Sequence, residues 1–311
     1  MPRILPSSCK VIFETATREG LIRVMQCGPR RQLVFVDPDN VENLQTELCF
    51  HSAPIHEYGN ACISSQRGGV QLQRGGRVLD IQASLRRTSY LDFMAKHLKA
   101  RTRRHALIFG LGGGLLPAAL CAASSSVRVD VVERSPLVIE LARRFFGLDE
   151  VERDGLLRLH CCEAEDFVSN NALACQSFDT CAIDMFDAHT NLQPSFVLSV
   201  SFLTAIRRLL SPGALLLHNA LAHTGNVTSA VRGRGASRRH VSQNEVPCLA
   251  WRRSAAPCGP LMRATFPKNN EASRQLELLV DGYRDVFGSV SVHMPCAWTA
   301  NRVLKVFVES R

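Results

Sequence analysis

His105–Leu120, HALIFGLGGGLLPAAL, runs four apolar residues, Ala106–Phe109, into a glycine cluster and then into a second apolar stretch. A short apolar run bounded by glycine reads as a buried strand, and the run after it reads as a helix. Glycine belongs between them because residues without Cβ take positive φ and let another group approach the main chain closely. Gly110, Gly112, Gly113 and Gly114 therefore predict a strand–loop–helix unit with a ligand at its bend. A plain tight turn has the same look, so the surrounding units decide.

Outward from this stretch the chain alternates strand and helix. VRVDVVE gives a second strand, and SPLVIELARRFFGL a helix with Ser135 as N-cap and Pro136 in its first turn. LLRLHCCEAEDFVSN reads as a third strand and a turn, and SFDTCAIDMFD as a fourth strand ending in acids. SFVLSVSFLTAIRRLLSPG reads as a helix closed by Pro212–Gly213, and ALLLHNAL as a fifth strand. ASRQLELLVDGYRDVFG is an amphipathic helix, and SVSVHMP and NRVLKVFVE are two strands that pair as a hairpin. The expected fold is α/β: a Rossmann-like doubly wound sheet with a terminal antiparallel hairpin over residues 86–311. Such sheets bind ligands at the carboxyl ends of the strands, where the strand order reverses.

Residues 1–85 read differently. KVIFETAT, GLIRVMQ and RQLVFVD are short strands separated by turn signals, and RGGVQLQRGGRVLDIQ is a further hairpin. A small N-terminal β-domain is expected, packed on the larger one because a bare sheet is marginal alone. His51 and His56 read as ordinary loop histidines.

Composition narrows the class. A hydrophobic content of 46% suffices for a sizeable core. Runs such as Ala106–Phe109 and Ala214–Leu217 are strand-sized, far short of the ~20 residues that span a bilayer. The first twenty residues lack the apolar core of a secretory signal, so a cytoplasmic chain without a membrane partner is expected. The twelve cysteines include no C-x-x-C, and Cys161–Cys162 are adjacent. They read as free thiols in a reducing compartment, with no metal site.

The formal charge is +9, and residues 223–270 hold most of it: eight arginines and lysines against Glu245 alone. That stretch is rich in Gly, Ser, Pro and Asn and has no apolar period, so it reads as a flexible basic insertion. It is either a solvated loop without a task or a surface for nucleic acid or an acidic protein.

Glu133 ends the second strand, 23 residues past Gly110, where a carboxylate reaches the hydroxyls of a ribose lying across a glycine loop. With the glycine loop, Glu133, the acid-bearing CEAEDF and the acid-ended DMFD in this order, the chain resembles the class I S-adenosylmethionine-dependent methyltransferases. Within them it is similar to the spermidine-synthase-like branch, which holds aminopropyltransferases and the methyltransferase-like proteins that modify elongation factor. The resemblance covers roughly residues 90–221 and, less fully, the last forty.

It implies S-adenosyl-L-methionine as cofactor, with Gly110, Gly112 and Gly114 facing its methionine part, Glu133 its ribose and Arg134 the neighbouring edge. Glu163 stands where the family has an aspartate for the adenine amino group, and Ala164 replaces the glycine beside it. Asp184 stands beside the reacting centre as the catalytic carboxylate, which would orient an acceptor amine and help it lose a proton, and Asp187 keeps a D-x-x-D spacing. A dinucleotide dehydrogenase is disfavoured, since Leu115 occupies the last required glycine of G-x-G-x-x-G.

The resemblance also poses a choice between methyl and aminopropyl transfer. Aminopropyltransferases carry an acidic pair before a Tyr-x-Glu segment, whereas here Arg86-Arg87 precede Tyr90-Leu91-Asp92. Met185, Phe186 and Ala188 also depart from their fourth-strand pattern. Methyl transfer to a protein amine is the leading expectation. Aminopropyl transfer and a non-catalytic binding relative are the alternatives; the oligomeric state, a dimer included, is left open.

Overall fold

The computed structural model describes residues 9–18, 20–52, 71–74, 77–171, 177–187, 192–221, 271–295 and 301–309. The expected insertion at 223–270 lies outside them, as does His56, and so does the side chain of His51.

The N-terminal sheet is built from β1 (Cys9–Thr17), β2 (Gly20–Cys27), β3 (Arg30–Val36), β4 (Glu42–Ser52), β5 (Gln71–Arg74) and β6 (Arg77–Asp80). Their order is β1-β2-β3-β4-β6-β5, with every neighbouring pair antiparallel. Five of these strands match the sequence reading of the first 36 residues and the 71–80 hairpin. β4, ENLQTELCFHS, has no apolar run to announce it, yet it buries Thr46, Leu48 and Phe50 at every second position on one face. Its pairing with β3 slips between Leu33/Thr46 and Val34/Leu44, which leaves Gln45 as the extra residue of a bulge.

Asp80 then caps α1 (Ile81–Arg87), its carboxylate accepting the Ala83 N–H at 2.7 Å, and α2 (Ser89–Arg101) follows. The second sheet starts with β7 (His105–Phe109), α3 (Leu115–Cys121) and β8 (Arg128–Glu133). Next come α4 (Pro136–Phe146), α5 (Leu148–Arg153), β9 (Leu157–Cys161) and α6 (Ala164–Asn170). β10 (Phe178–Ile183), a 3₁₀ turn at Ser195–Leu198, α7 (Val200–Leu209) and β11 (Leu210–Leu221) lead to α8 (Glu271–Phe287), β12 (Ser291–His293) and β13 (Asn301–Phe307).

The strand order β12-β13-β11-β10-β7-β8-β9 is parallel from β11 to β9, with β13 and β12 forming the antiparallel hairpin edge. The chain runs outward through β7, β8 and β9, then returns to place β10 on the other side of β7. The order therefore reverses between β7 and β10, directly above the glycine loop.

Local signals behave as written in the α4 region: the Ser135 hydroxyl accepts the Val138 N–H, Pro136 opens the helix and Gly147 ends it at φ +78°. Three readings need correction. CEAEDFVSN is not a turn, because Ala164, Phe167 and Val168 lie on one helical face and bury it as α6. The expected long helix before Pro212 is split by Ser199, which caps α7 by accepting the Phe202 N–H. Pro212–Gly213 do not close that helix; they sit inside β11 where its register with β10 jumps from Phe178/Leu210 to Thr180/Leu215.

The cysteine reading is corrected too. Cys9 and Cys27 are cross-strand partners in β1 and β2, with Cα atoms 4.1 Å apart, and form a disulfide. Pairing across a hairpin is invisible in a spacing of 18 residues, and it removes the argument from cysteine usage to a reducing compartment. Cys49, Cys121, Cys161, Cys162 and Cys181 are free thiols, as expected.

One apolar cluster joins the two sheets: Val24, Leu33, Leu48 and Phe50 of the first pack with Met94 of α2, Leu115 and Leu116 of α3 and Phe146 of α4, the helices that cover one face of the second. No described helix is long and apolar enough to cross a membrane.

Candidate functional site

The loop at residues 110–114 leaves the end of β7 and is fixed from several sides. The Gly110 N–H donates to the Val132 carbonyl at 2.9 Å, and the Asp184 N–H donates to the Phe109 carbonyl at 2.9 Å. Gly110 has φ +91°, and a Cβ there would overlap the carbonyl oxygen of Asp184. Gly112, at φ +53°, and Gly113 back onto the N-terminal sheet: a Cβ on either would come within 2.7 Å of the Thr46 side chain, whose Oγ1 accepts the Gly113 N–H at 2.9 Å. Gly114 lies against Leu148 and shapes the bend without reaching the cleft wall. Protein neighbours thus demand glycine at these positions in their own right, while Gly110 and Gly112 also face the cleft.

Over this loop, at the carboxyl ends of the central strands, opens a cleft of about 440 Å³, a size usual for small-molecule sites. One half is walled by Gly110, Gly112, Glu133, Arg134, Glu163 and Ala164, so the structure brings together all the sequence-predicted cofactor residues but Gly114. Glu133 bridges the loop and α4: one carboxylate oxygen accepts the Leu111 N–H at 3.1 Å and the other the Ser135 N–H at 2.9 Å. Burial nevertheless raises its pKa above the ordinary glutamate value. Glu163 precedes α6 in an extended conformation and makes no side-chain cap bond. Cys162 stands beside it in the wall, its thiol pushed up by burial.

The other half centres on Asp184. Its Oδ1 accepts the Asn219 amide at 2.7 Å, and its Oδ2 accepts the Tyr90 hydroxyl at 3.3 Å. Asn219 is itself held, its Oδ1 by the Asn301 amide at 2.9 Å and its backbone carbonyl by Gln193 at 2.6 Å. Burial raises the Asp184 pKa against the two hydrogen bonds, and burial together with the adjacent carboxylate raises that of Tyr90 well above a free phenol. Phe35, Met185, Phe186 and Phe196 supply apolar walls, and Arg18 and Gln45 enter from the N-terminal sheet.

Other expected residues fall elsewhere. Asp187 donates its N–H to the Leu192 carbonyl and is not part of the wall. Arg86 and Arg87 do not face the cleft either; Arg87 pairs with Glu47 of β4, so they are no barrier to a diamine. Asp92 pairs with Lys96 at 2.6 Å on the surface of α2. Thr46, Gln45 and Asn219 were missed by sequence reasoning. The alternation of β4 was the available signal for the first two; nothing local marked Asn219 within its apolar strand.

No family model matches the chain. Among solved structures, a probable spermidine synthase from Corynebacterium glutamicum superposes with a TM-score of 0.56 over 96% of this chain and 80% of that one, at 13% identity. The fold is therefore similar to that of this probable spermidine synthase. Curated relatives of two kinds match at similar identity. A polyamine aminopropyltransferase from Vibrio vulnificus is 29% identical over 116 residues, 37% of this chain and 37% of its own length. An eEF1A lysine and N-terminal methyltransferase homolog from Drosophila melanogaster is 29% identical over 130 residues, 40% of this chain and 19% of its own. The matched stretch thus spans well under half of either relative.

Proposed function

We infer that the protein transfers a methyl group from S-adenosyl-L-methionine to an amine of a protein substrate. The observation that carries this reading is the placement of two carboxylates in one cleft, on either side of β7: Glu133 at the end of β8 on the glycine loop and Asp184 after β10 beside Tyr90. The elongation-factor methyltransferase relatives support a protein acceptor.

The cleft suits an adenosyl group. Each Glu133 oxygen keeps an acceptor site after its backbone bond, which matches a vicinal diol, and the uncapped Glu163 carboxylate is available to a ring amino group. When bound, the cofactor supplies an activated sulfonium methyl. The chain supplies position and proton handling. Asn219 and Tyr90 fix both oxygens of Asp184, so its carboxylate accepts a hydrogen bond from an incoming amine in one orientation. Burial makes Asp184 a stronger base than a free carboxylate, which helps remove the proton that the amine loses on methylation. The aromatic and Met185 walls give the acceptor an apolar surface to pack on.

Aminopropyl transfer would need a multiply charged amine to be balanced after desolvation. Beyond the cofactor half, Asp184 is the one carboxylate in the described cleft wall, and Arg18 shares that wall. The test is a pair of labelled-donor assays. Methyl-labelled S-adenosylmethionine should label lysate protein, with the label on an amine by mass spectrometry. Decarboxylated S-adenosylmethionine with putrescine or spermidine should give no product; turnover of either amine would overturn the assignment.

A further inference from the structure

Asp184 directly follows β10, Asn219 lies in β11 and Asn301 opens β13, and these three strands are neighbours in the second sheet. Register sets the three residues in line. Ile183 pairs with His218, which brings Asp184 beside Asn219; Asn219 and Leu221 pair with Val303 and Asn301, so the two asparagines are diagonal neighbours on one sheet face. The Asn301 amide donates to Asn219 Oδ1 at 2.9 Å, and the buried Asn219 amide donates to Asp184 Oδ1 at 2.7 Å. Both bonds run toward the carboxylate.

That direction has a chemical effect. The oxygen and the NH₂ group of an asparagine amide are nearly the same size, so packing alone does not decide which of them faces a neighbour. An ionised Asp184 only accepts and is served by the NH₂ group; a protonated Asp184 carries a donor and is served by the oxygen. Asn301 occupies the Asn219 oxygen and thereby holds the NH₂ group toward Asp184, which favours the ionised form. Donation in series also polarises the amides and strengthens the bond that reaches the carboxylate.

Neither asparagine carries a charge or belongs to the described cleft wall, so their influence is neither Coulombic nor a contact with substrate. Tyr90 of α2 meets the same carboxylate, Arg18 shares the cleft wall with it, and the Arg302 guanidinium donates to the Asn301 main-chain carbonyl at 2.9 Å. All three groups survive a change confined to the Asn301 side chain. The main chain of Asn219 is held separately, its carbonyl accepting Gln193 Nε2 at 2.6 Å while Gln275 of α8 accepts the Gln193 N–H at 3.2 Å.

We propose that Asn301 is a positioning residue for the transfer, keeping the Asp184 carboxylate an acceptor through the Asn219 amide and making the terminal hairpin a support of the reacting centre. The proposal rests on Asp184 being the carboxylate that receives the acceptor amine.

The test titrates Asp184 itself in the full chain, by NMR of protein labelled at its aspartate carboxyl carbons, with the resonance assigned from its loss in Asp184→Asn. Asn301→Leu, similar in size but without a donor, should raise the Asp184 midpoint by about 1 pH unit, the order of one hydrogen bond to a charged group. Asn219→Ala should raise it by as much or more, and adding Asn301→Leu to that variant should move it no further. In methyl transfer the acid limb of kcat/KM should rise by the same amount, with the KM for S-adenosylmethionine held within about twofold. A midpoint unchanged in Asn301→Leu, or a shift that persists in full on top of Asn219→Ala, would overturn the proposal. So would an equal shift in Gln193→Met, which releases only the Asn219 main chain and would reveal general loosening. If Asn301→Leu does not fold, Asn301→Ala reads the same midpoint. Absence of any methyl transfer by the wild type would instead refute the functional reading, and the titration would still decide whether Asn301 orients Asp184.

Discussion

His218 makes the fold sensitive to mild acid. It lies in the middle of β11, fully buried between Ile183 of β10 and Leu304 of β13. Its Nδ1 meets the Tyr283 hydroxyl at 2.7 Å, and its Nε2 has no partner among the described residues. A charged imidazolium there would be unsolvated, so burial lowers its pKa from 6.5 to about 3. The folded protein therefore holds the neutral ring, while the unfolded chain takes up a proton below about 6.5. The contribution to stability is complete above that pH and is lost as pH falls toward 3. Between pH 7 and pH 5 the loss is about 2 kcal/mol, and by pH 4 about 3 kcal/mol.

Glu133 and Asp184, with raised pKa values, shift the opposite way, since their protonation favours the folded state. A comparison with His218→Asn removes their effect, because Asn does not titrate and its amide still offers the Tyr283 hydroxyl a partner. Urea unfolding of both proteins at several pH values gives the difference directly. The variant should gain on the wild type as pH falls, by about 2 kcal/mol at pH 5. A difference that stays flat from pH 7 to pH 4 would refute the buried neutral ring.

Other perturbations read the cleft. Glu133→Ala should weaken S-adenosylmethionine binding about tenfold or more by calorimetry, and should also lower the melting temperature because the Leu111 and Ser135 N–H groups lose their acceptor; unchanged affinity removes Glu133 from the site. Gly110→Ala should cost about 2 kcal/mol or more in chemical denaturation, from its positive φ and its clash with β10, and a neutral result would contradict that close approach. Thr46→Val removes the acceptor of the Gly113 N–H and should destabilise by about 1–3 kcal/mol, read as faster hydrogen exchange at Gly113; unaltered exchange would mean that the contact does not persist.

The second sheet was legible because its central strands β7 and β11 carry apolar runs of four residues and the bends after β7 and β8 carry glycine or a capping serine followed by proline. Ser135 and Gly147 fix both ends of α4 by local chemistry alone. What could not be read depends on distant partners. The glycine cluster looked like a ligand cradle, but only the tertiary structure reveals Thr46, sixty-seven residues away, behind Gly113. Arg87 looked like a guard of the acceptor site because its Glu47 partner belongs to β4, the strand with no apolar run. Asp184 and Glu133 were found because an acid at the end of an apolar strand is conspicuous. Asn219 was not, since its value lies in facing Asp184 from a different strand.

The Thr46–Gly113 contact has a consequence for how the molecule opens. A ligand held by the glycine loop would also tighten the seam between the two sheets, so the N-terminal sheet could not peel away while the cleft is filled. The sheets then form one cooperative foldon, in which saturation at a hundredfold excess over Kd adds about 2.7 kcal/mol to the separation of both at once. An isolated fragment starting near residue 86 would lose the hydroxyl that pins the loop and the wall formed by Arg18, Phe35 and Gln45, and would be a poor stand-in for the whole chain.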